Sequence, residues 1–95
     1  MFKSLDPILH SPLRLAVMSL LVAKKEAEFT FIKEQTNSTA GNLSVQITKL
    51  EAAKYIEVTK GYKGKRPQTL VQITKVGRKA FNDYVKSLNT YINPE

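Results

Sequence analysis

The stretch KGYKGKRPQT, residues 60 to 69, sets Lys60, Lys63, Lys65 and Arg66 within seven positions and holds no acid. Cations packed that closely repel one another, so the segment calls for a solvated face or an anionic partner. Each ammonium can neutralise a phosphate as a point charge. The guanidinium adds a planar fork that engages two acceptors at once. The chemistry on offer is charge neutralisation and hydrogen bonding, not bond making. The wider chain is biased the same way. Its 95 residues carry a formal net charge of +7. No Asp or Glu occurs from Val58 to Asn82, where Lys75, Arg78 and Lys79 join the four cations above. A basic excess on a small chain points to nucleic acid or to an acidic membrane surface.

Other chemistries lack their parts. Without cysteine there are no disulfides, thiolate metal sites or cysteine nucleophiles, which fits a cytoplasmic location. The one histidine, His10, has Ser4 and Ser11 as its nearest serines, and the eight carboxylates are scattered, none placed to complete a triad. GYKG lacks the Lys-Ser/Thr and helix start that a phosphate-binding loop needs. The sequence therefore predicts no enzyme, no cofactor and no metal. The longest uncharged apolar run, Leu15–Ala23, is about half of a membrane span. Pro7, Pro12 and Arg14 precede it and charges follow at once, which argues against a signal peptide. It reads as a buried core helix, so no membrane partner is expected.

The elements that must position the cations can be read in order. Asp6 before Pro7 and Ser11 before Pro12 are two helix starts, a capping side chain followed by proline. The second opens a helix from about Pro12 to Lys25 that is apolar almost all round and belongs at the centre of the fold. EFTF, residues 28–31, reads as a short edge strand, followed by a short helix over Phe31–Thr36 capped by Thr30. NSTAG is a turn in which Ser38 or Thr39 caps the next helix, Ala40–Lys54. There Leu43, Ile47 and Leu50 recur at i, i+4 and i+7 and make one buried stripe. The opposite face carries Gly41, Asn42, Val45, Thr48 and Lys49, with Ser44 on its flank, a small polar surface suited to reading a groove. YIEVTK and TLVQIT alternate, with Ile56 and Val58 inward on one and Val71 and Ile73 inward on the other. They form a hairpin with the basic segment as its tip. Thr74 then caps a last helix, Lys75–Ile92. The fold class is mostly α with a small β-hairpin, one domain over residues 1–95. Two short helices joined by a tight turn and followed by a hairpin make a winged helix-turn-helix.

The stretch GNLSVQITKLEAAKYIEVTKGYKGKRPQTLVQITKVGRKAF resembles the small winged-helix transcriptional regulators of the MarR/ArsR-like group. The pieces that carry the resemblance are GNLS, KLEAAKYI, KRPQT and the T-x-x-G-R that opens the last helix. HSPLRLAVMSLL is similar to the family's first core helix, and the likeness runs from about Asp6 to Leu88. It implies a winged helix, usually dimeric, whose members bind operator DNA. The family often has glycine where Lys54 stands, ending the recognition helix in a left-handed conformation that costs lysine roughly 1 kcal/mol. Gln46 often corresponds to a histidine there and Gln68 to an arginine.

With that implication, the expected partner is double-stranded DNA. The helix over residues 40–54 enters the major groove with Asn42, Ser44, Val45, Thr48 and Lys49 near base edges or phosphates. Asn42 can pair bidentately with adenine, and Val45 can touch a thymine methyl. Ser38 or Thr39, with the free N–H groups at the helix start, can hold a phosphate. Lys60, Lys63 and Lys65 neutralise phosphates, and Arg66 suits a narrow minor groove. A homodimer is expected through Phe81, Tyr84, Val85, Leu88, Tyr91 and Ile92, met by Leu5, Ile8 and Leu9 of the N-terminal segment. A winged helix that binds protein or RNA is the competing reading, because fold alone does not settle function.

Overall fold

The computed structural model describes residues 1–94. Near the N-terminus, Asp6 accepts the Ile8 N–H on its side chain at 2.9 Å and the His10 N–H on its carbonyl at 2.9 Å. The predicted helix at Asp6 is only a single turn, because Pro12 bars the helical conformation at Ser11. Helix α1, Pro12–Lys24, starts at the Ser11 cap as expected. Val17, Met18 and Leu21 are completely buried in it, and it touches every other helix. It stops at Lys25, which turns into a positive φ of 74°.

Strand β1 is Glu26–Glu28 and helix α2 is Phe29–Thr36. This corrects two expectations. The strand precedes Phe29 instead of containing it, and Glu28, not Thr30, stands at the N-cap, without a side-chain bond. Sheet pairing decides the matter. Ile73 N–H donates to the Lys25 carbonyl, and Ala27, set opposite Val71, is the residue of β1 that enters the core.

Helix α3 is Ala40–Ala52, with Leu43, Ile47 and Leu50 buried as their spacing requires. It ends two residues before Lys54. Tyr55 N–H reaches back to the Leu50 carbonyl at 3.1 Å, and Lys54 itself sits at φ 65°. The left-handed position is therefore retained with a lysine in it. Thr74 Oγ1 donates to the Lys54 carbonyl at 2.7 Å and holds the corner. Lys54→Gly is expected to stabilise the fold by about 0.5–1 kcal/mol. That is the relieved strain less the extra chain entropy that glycine loses on folding. A chemical-denaturation midpoint that does not rise would contradict it.

Strand β2, Ile56–Lys63, and strand β3, Arg66–Ile73, form the hairpin, and the antiparallel sheet runs β1-β3-β2. The register sets Ile56 opposite Ile73 and Val58 opposite Val71, which puts the four predicted residues on one face. The strands run further than the sequence suggested, closing on the two-residue turn Gly64-Lys65, where Gly64 supplies φ 66°. The pair next to the closing one is Tyr62–Pro67. It falls at a non-hydrogen-bonded site, so the missing proline N–H breaks no rung of the ladder.

Helix α4, Lys75–Ile92, is capped by Thr74, whose hydroxyl accepts the Gly77 N–H at 2.9 Å. Its apolar stripe divides. Tyr84 is buried in its own domain core, its hydroxyl 3.1 Å from His10 Nδ1, so it offers no surface to a second subunit. Leu9 is wholly buried too, and Leu5, Ile8, Phe81 and Leu88 pack against the same core. Val85, Tyr91 and Ile92 stay exposed. Phe2 stacks on Tyr91 at 5.0 Å between ring centroids, and Tyr91 donates its hydroxyl proton to the Lys3 carbonyl. The N-terminal segment thus lies along α4. Tyr55 holds it further back, donating to Asp6 Oδ2 at 2.6 Å. Burial, and then that bond, push the Tyr55 phenol from 10.0 up to about 12, so it stays a donor at neutral pH. Among the described residues no helix is long and apolar enough to cross a membrane, and no three metal-ligating side chains gather.

Candidate nucleic-acid interface

The buried stripe of α3 fixes which side faces out. With Leu43, Ile47 and Leu50 inward, Asn42, Ser44, Val45, Thr48 and Lys49 are exposed together, Val45 at 52% of its surface. An apolar side chain that exposed on a polar face is available to a partner. The helix start is resolved in favour of Thr39, which accepts the Asn42 N–H at 3.1 Å. Ser38 is half-buried, and its hydroxyl pairs with Thr36 at 2.8 Å, so it shapes the turn. The N–H groups of Ala40 and Gly41 precede the first intrahelical bond and point outward from the helix start. Thr48 donates to the Ser44 carbonyl at 3.0 Å, which leaves its hydroxyl as an acceptor only.

The wing leaves the domain as a two-stranded ribbon, and the molecule measures 55 × 25 × 21 Å. Side-chain alternation sorts its cations. Lys60 continues the inward face begun by Ile56 and Val58. Lys63 and Arg66, paired across the strands, lie on the opposite face, and Lys65 occupies the turn. All four are exposed. Among the described residues the sole ion pair is Lys79–Asp83 on α4, at 2.8 Å. None of the wing cations is paired with a carboxylate of the described residues. Their exposure leaves them available to a partner.

A cleft of about 250 Å³ runs between α3 and the inward face of the wing, bounded by Ser44, Thr48 and Glu51 on one side and Val58, Lys60 and Thr69 on the other. A larger depression, about 550 Å³, lies at the base of the wing with Glu51 and Glu57 in its wall. Two carboxylates make it a poor place for phosphate.

Two residues of this region escaped the sequence reading as site residues. Arg14 donates to Gln46 Oε1, and Gln46 Nε2 donates to Asn42 Oδ1 at 3.1 Å. The available signal was a lone cation in the apolar start of α1, LRLAV, which must find acceptors.

The model of the winged helix DNA-binding domain family covers residues 13–92. An uncharacterized protein of Methanocaldococcus jannaschii is 36% identical over 78 residues, which span 82% of this chain and 85% of that one. A transcriptional regulator homologue from Pyrococcus horikoshii superposes with a TM-score of 0.83 at 33% identity, over 90% of this chain and 84% of its own. The transcriptional regulator BldR from Sulfolobus solfataricus superposes with a TM-score of 0.74 at 19% identity, over 87% of this chain and 58% of BldR. At that identity BldR speaks to the fold alone. A capped helix with an exposed polar face stands beside a basic two-stranded wing, and the family model spans residues 13–92: this protein belongs to the winged helix DNA-binding domain family.

Proposed function

We propose that the chain acts as one domain, in the cytoplasm, as a sequence-specific regulator that binds double-stranded DNA. Helix α3 enters the major groove with Asn42, Ser44, Val45, Thr48 and Lys49. Thr39 and the adjacent N–H groups, with Ser38 shaping their turn, meet a phosphate. The wing lies along the neighbouring backbone, Lys60, Lys63 and Lys65 on phosphates and Arg66 in the minor groove. The observation that carries this reading is the set of four exposed wing cations, without a carboxylate partner among the described residues, next to the exposed face of α3.

Recovery of bound fragments from genomic DNA is the direct test. A shared motif supports the reading, and enrichment of random fragments opposes it. Nuclease protection of single-stranded RNA but not of duplex DNA would favour an RNA-binding winged helix instead. Within the wing, Arg66→Ala is expected to weaken binding to the recovered motif more than Lys63→Ala, because a groove contact adds to charge neutralisation. Equal losses for both variants on motif and random DNA would remove Arg66 from the groove.

One recognition helix reads a few base pairs, too few to find a site among roughly 10⁶ competitors. A two-fold pair doubles the reading and sets half-sites about one helical turn apart. We place the pairing surface on the exposed remainder of the α4 stripe, Val85, Tyr91 and Ile92, with Phe2 beside it. Phe81 and Leu88 would contribute only their outer edges. Replacing Val85 and Ile92 by glutamate touches no buried side chain. It is expected to give folded monomers that bind the motif at least tenfold more weakly. Light scattering that finds the unsubstituted protein monomeric at micromolar concentration would rule this pairing out.

A further inference from the structure

Asn42 stands on the exposed face of α3, where a carboxamide can present either its oxygen or its NH2 to a base. The structure ties that choice to a residue on another helix. Arg14 donates through Nε to the Ile8 carbonyl at 2.6 Å and through Nη2 to the Pro7 carbonyl at 3.5 Å, which fixes the plane of the guanidinium. Its Nη1 faces Gln46. A guanidinium only donates, so the Gln46 atom that meets it has to be Oε1. That leaves Gln46 Nε2 pointing the other way, toward Asn42, and an NH2 can be met only by an acceptor. Asn42 therefore turns Oδ1 inward, at 3.1 Å from Nε2, and its own Nδ2 outward. Each orientation in the chain follows from the one before it. The charge on Arg14 strengthens the first link.

We propose that Gln46, oriented by Arg14, is a positioning residue that makes Asn42 a hydrogen-bond donor toward DNA. The proposal rests on the reading that α3 enters the major groove. It changes what Asn42 selects. A bidentate pair with adenine needs both the oxygen and the NH2 of an asparagine facing the base. With the oxygen drawn back to Gln46, Asn42 offers its NH2 to an acceptor, O4 of thymine or the adjacent N7 and O6 of guanine, where adenine sets an amino group beside N7. The amino groups of adenine and cytosine present a donor to a donor and are disfavoured.

Gln46→Glu tests this by inversion. The substitution keeps the size and the pairing with Arg14 but removes the NH2. The second carboxylate oxygen then faces Asn42, whose amide has to rotate to put Nδ2 inward and Oδ1 outward. In selection from a random duplex library, Asn42→Ala marks the base position by losing preference there. At that position the unsubstituted protein is expected to favour guanine or thymine. Gln46→Glu is expected to shift the preference to adenine or cytosine by roughly fivefold, the size of one net hydrogen bond, with the other positions unchanged. Gln46→Ala serves as a second variant. It leaves the amide free, so the position should accept both base types. A position that stays keto-selective in both Gln46 variants overturns the positioning role and leaves the reading of α3 intact. An Asn42→Ala variant that loses no preference also overturns it. An unsubstituted protein that selects no motif overturns the reading of α3 and this inference together. Thermal melting of each variant separates a changed preference from a damaged fold.

Discussion

Raising the salt from about 50 to about 200 mM is expected to weaken DNA binding by about 10³–10⁵-fold, the loss that accompanies on the order of 6–10 neutralised phosphates. The wing supplies the number. Lys60, Lys63, Lys65 and Arg66 are exposed and, among the described residues, without a carboxylate partner, so each can displace a condensed counterion. Four per protomer become eight in a pair. Full engagement then gives a slope of about −7 for log affinity against log salt on B-form DNA. Removing Lys65 from both protomers should flatten the slope by about 2, equally on motif and on random DNA, because a phosphate contact carries no sequence information. Fluorescence anisotropy over a salt series measures both. A nearly flat series would set aside phosphate binding by the wing and favour a protein partner.

Gly77→Ala is expected to cost about 3 kcal/mol or more, the upper end of what overpacking does. A Cβ at this position would stand 2.1 Å from the Tyr55 carbonyl oxygen and 2.8 Å from its carbon. These are backbone atoms, and they cannot swing aside as a side chain can. Nor can α4 easily retreat. Thr74 N–H donates to that same Tyr55 carbonyl at 3.1 Å, and Thr74 Oγ1 donates to the Lys54 carbonyl at 2.7 Å. These bonds clamp the first turn of α4 onto the corner between α3 and β2. The Thr-x-x-Gly spacing therefore does two things: it caps the helix and lets it approach that corner. For a chain of this size a loss of about 3 kcal/mol lowers the melting midpoint by roughly 12–24 °C. Gly41→Ala is the matched control, since a Cβ there meets nothing within 4 Å. A Gly77→Ala midpoint within a few degrees of the original would show that α4 shifts to make room.

What the sequence alone determined is what neighbours along the chain encode. Leu43, Ile47 and Leu50 recur at helical spacing, so the inner and outer faces of α3 could be read before any fold was known. Ile56, Val58, Val71 and Ile73 alternate, which gave the hairpin faces. Ser11 and Thr74 announce the helices they cap. The acid-free run from Val58 to Asn82 located the wing's charge. Each of these signals spans at most a few turns or one hairpin, a range over which backbone geometry ties sequence spacing to direction.

The tertiary structure decided whatever depends on residues distant in the chain. EFTF has strand-like composition, yet the strand ends at Glu28, because pairing with Val71 and Leu70 sets its register from more than 40 positions away. Tyr84 and Val85 look equally available in the α4 stripe. His10 and the core claim the first, whereas the second stays exposed. The strain at Lys54 persists because Thr74, 20 residues on, holds its carbonyl. Arg14 and Gln46 are 32 residues apart and ordinary in their local context. Only the packing of α1 against α3 brings them together, and only then does the donor-only chemistry of a guanidinium dictate the orientation of a carboxamide on the outer face of α3. Such long-range pairings leave no periodic trace, because no fixed spacing along the chain generates them.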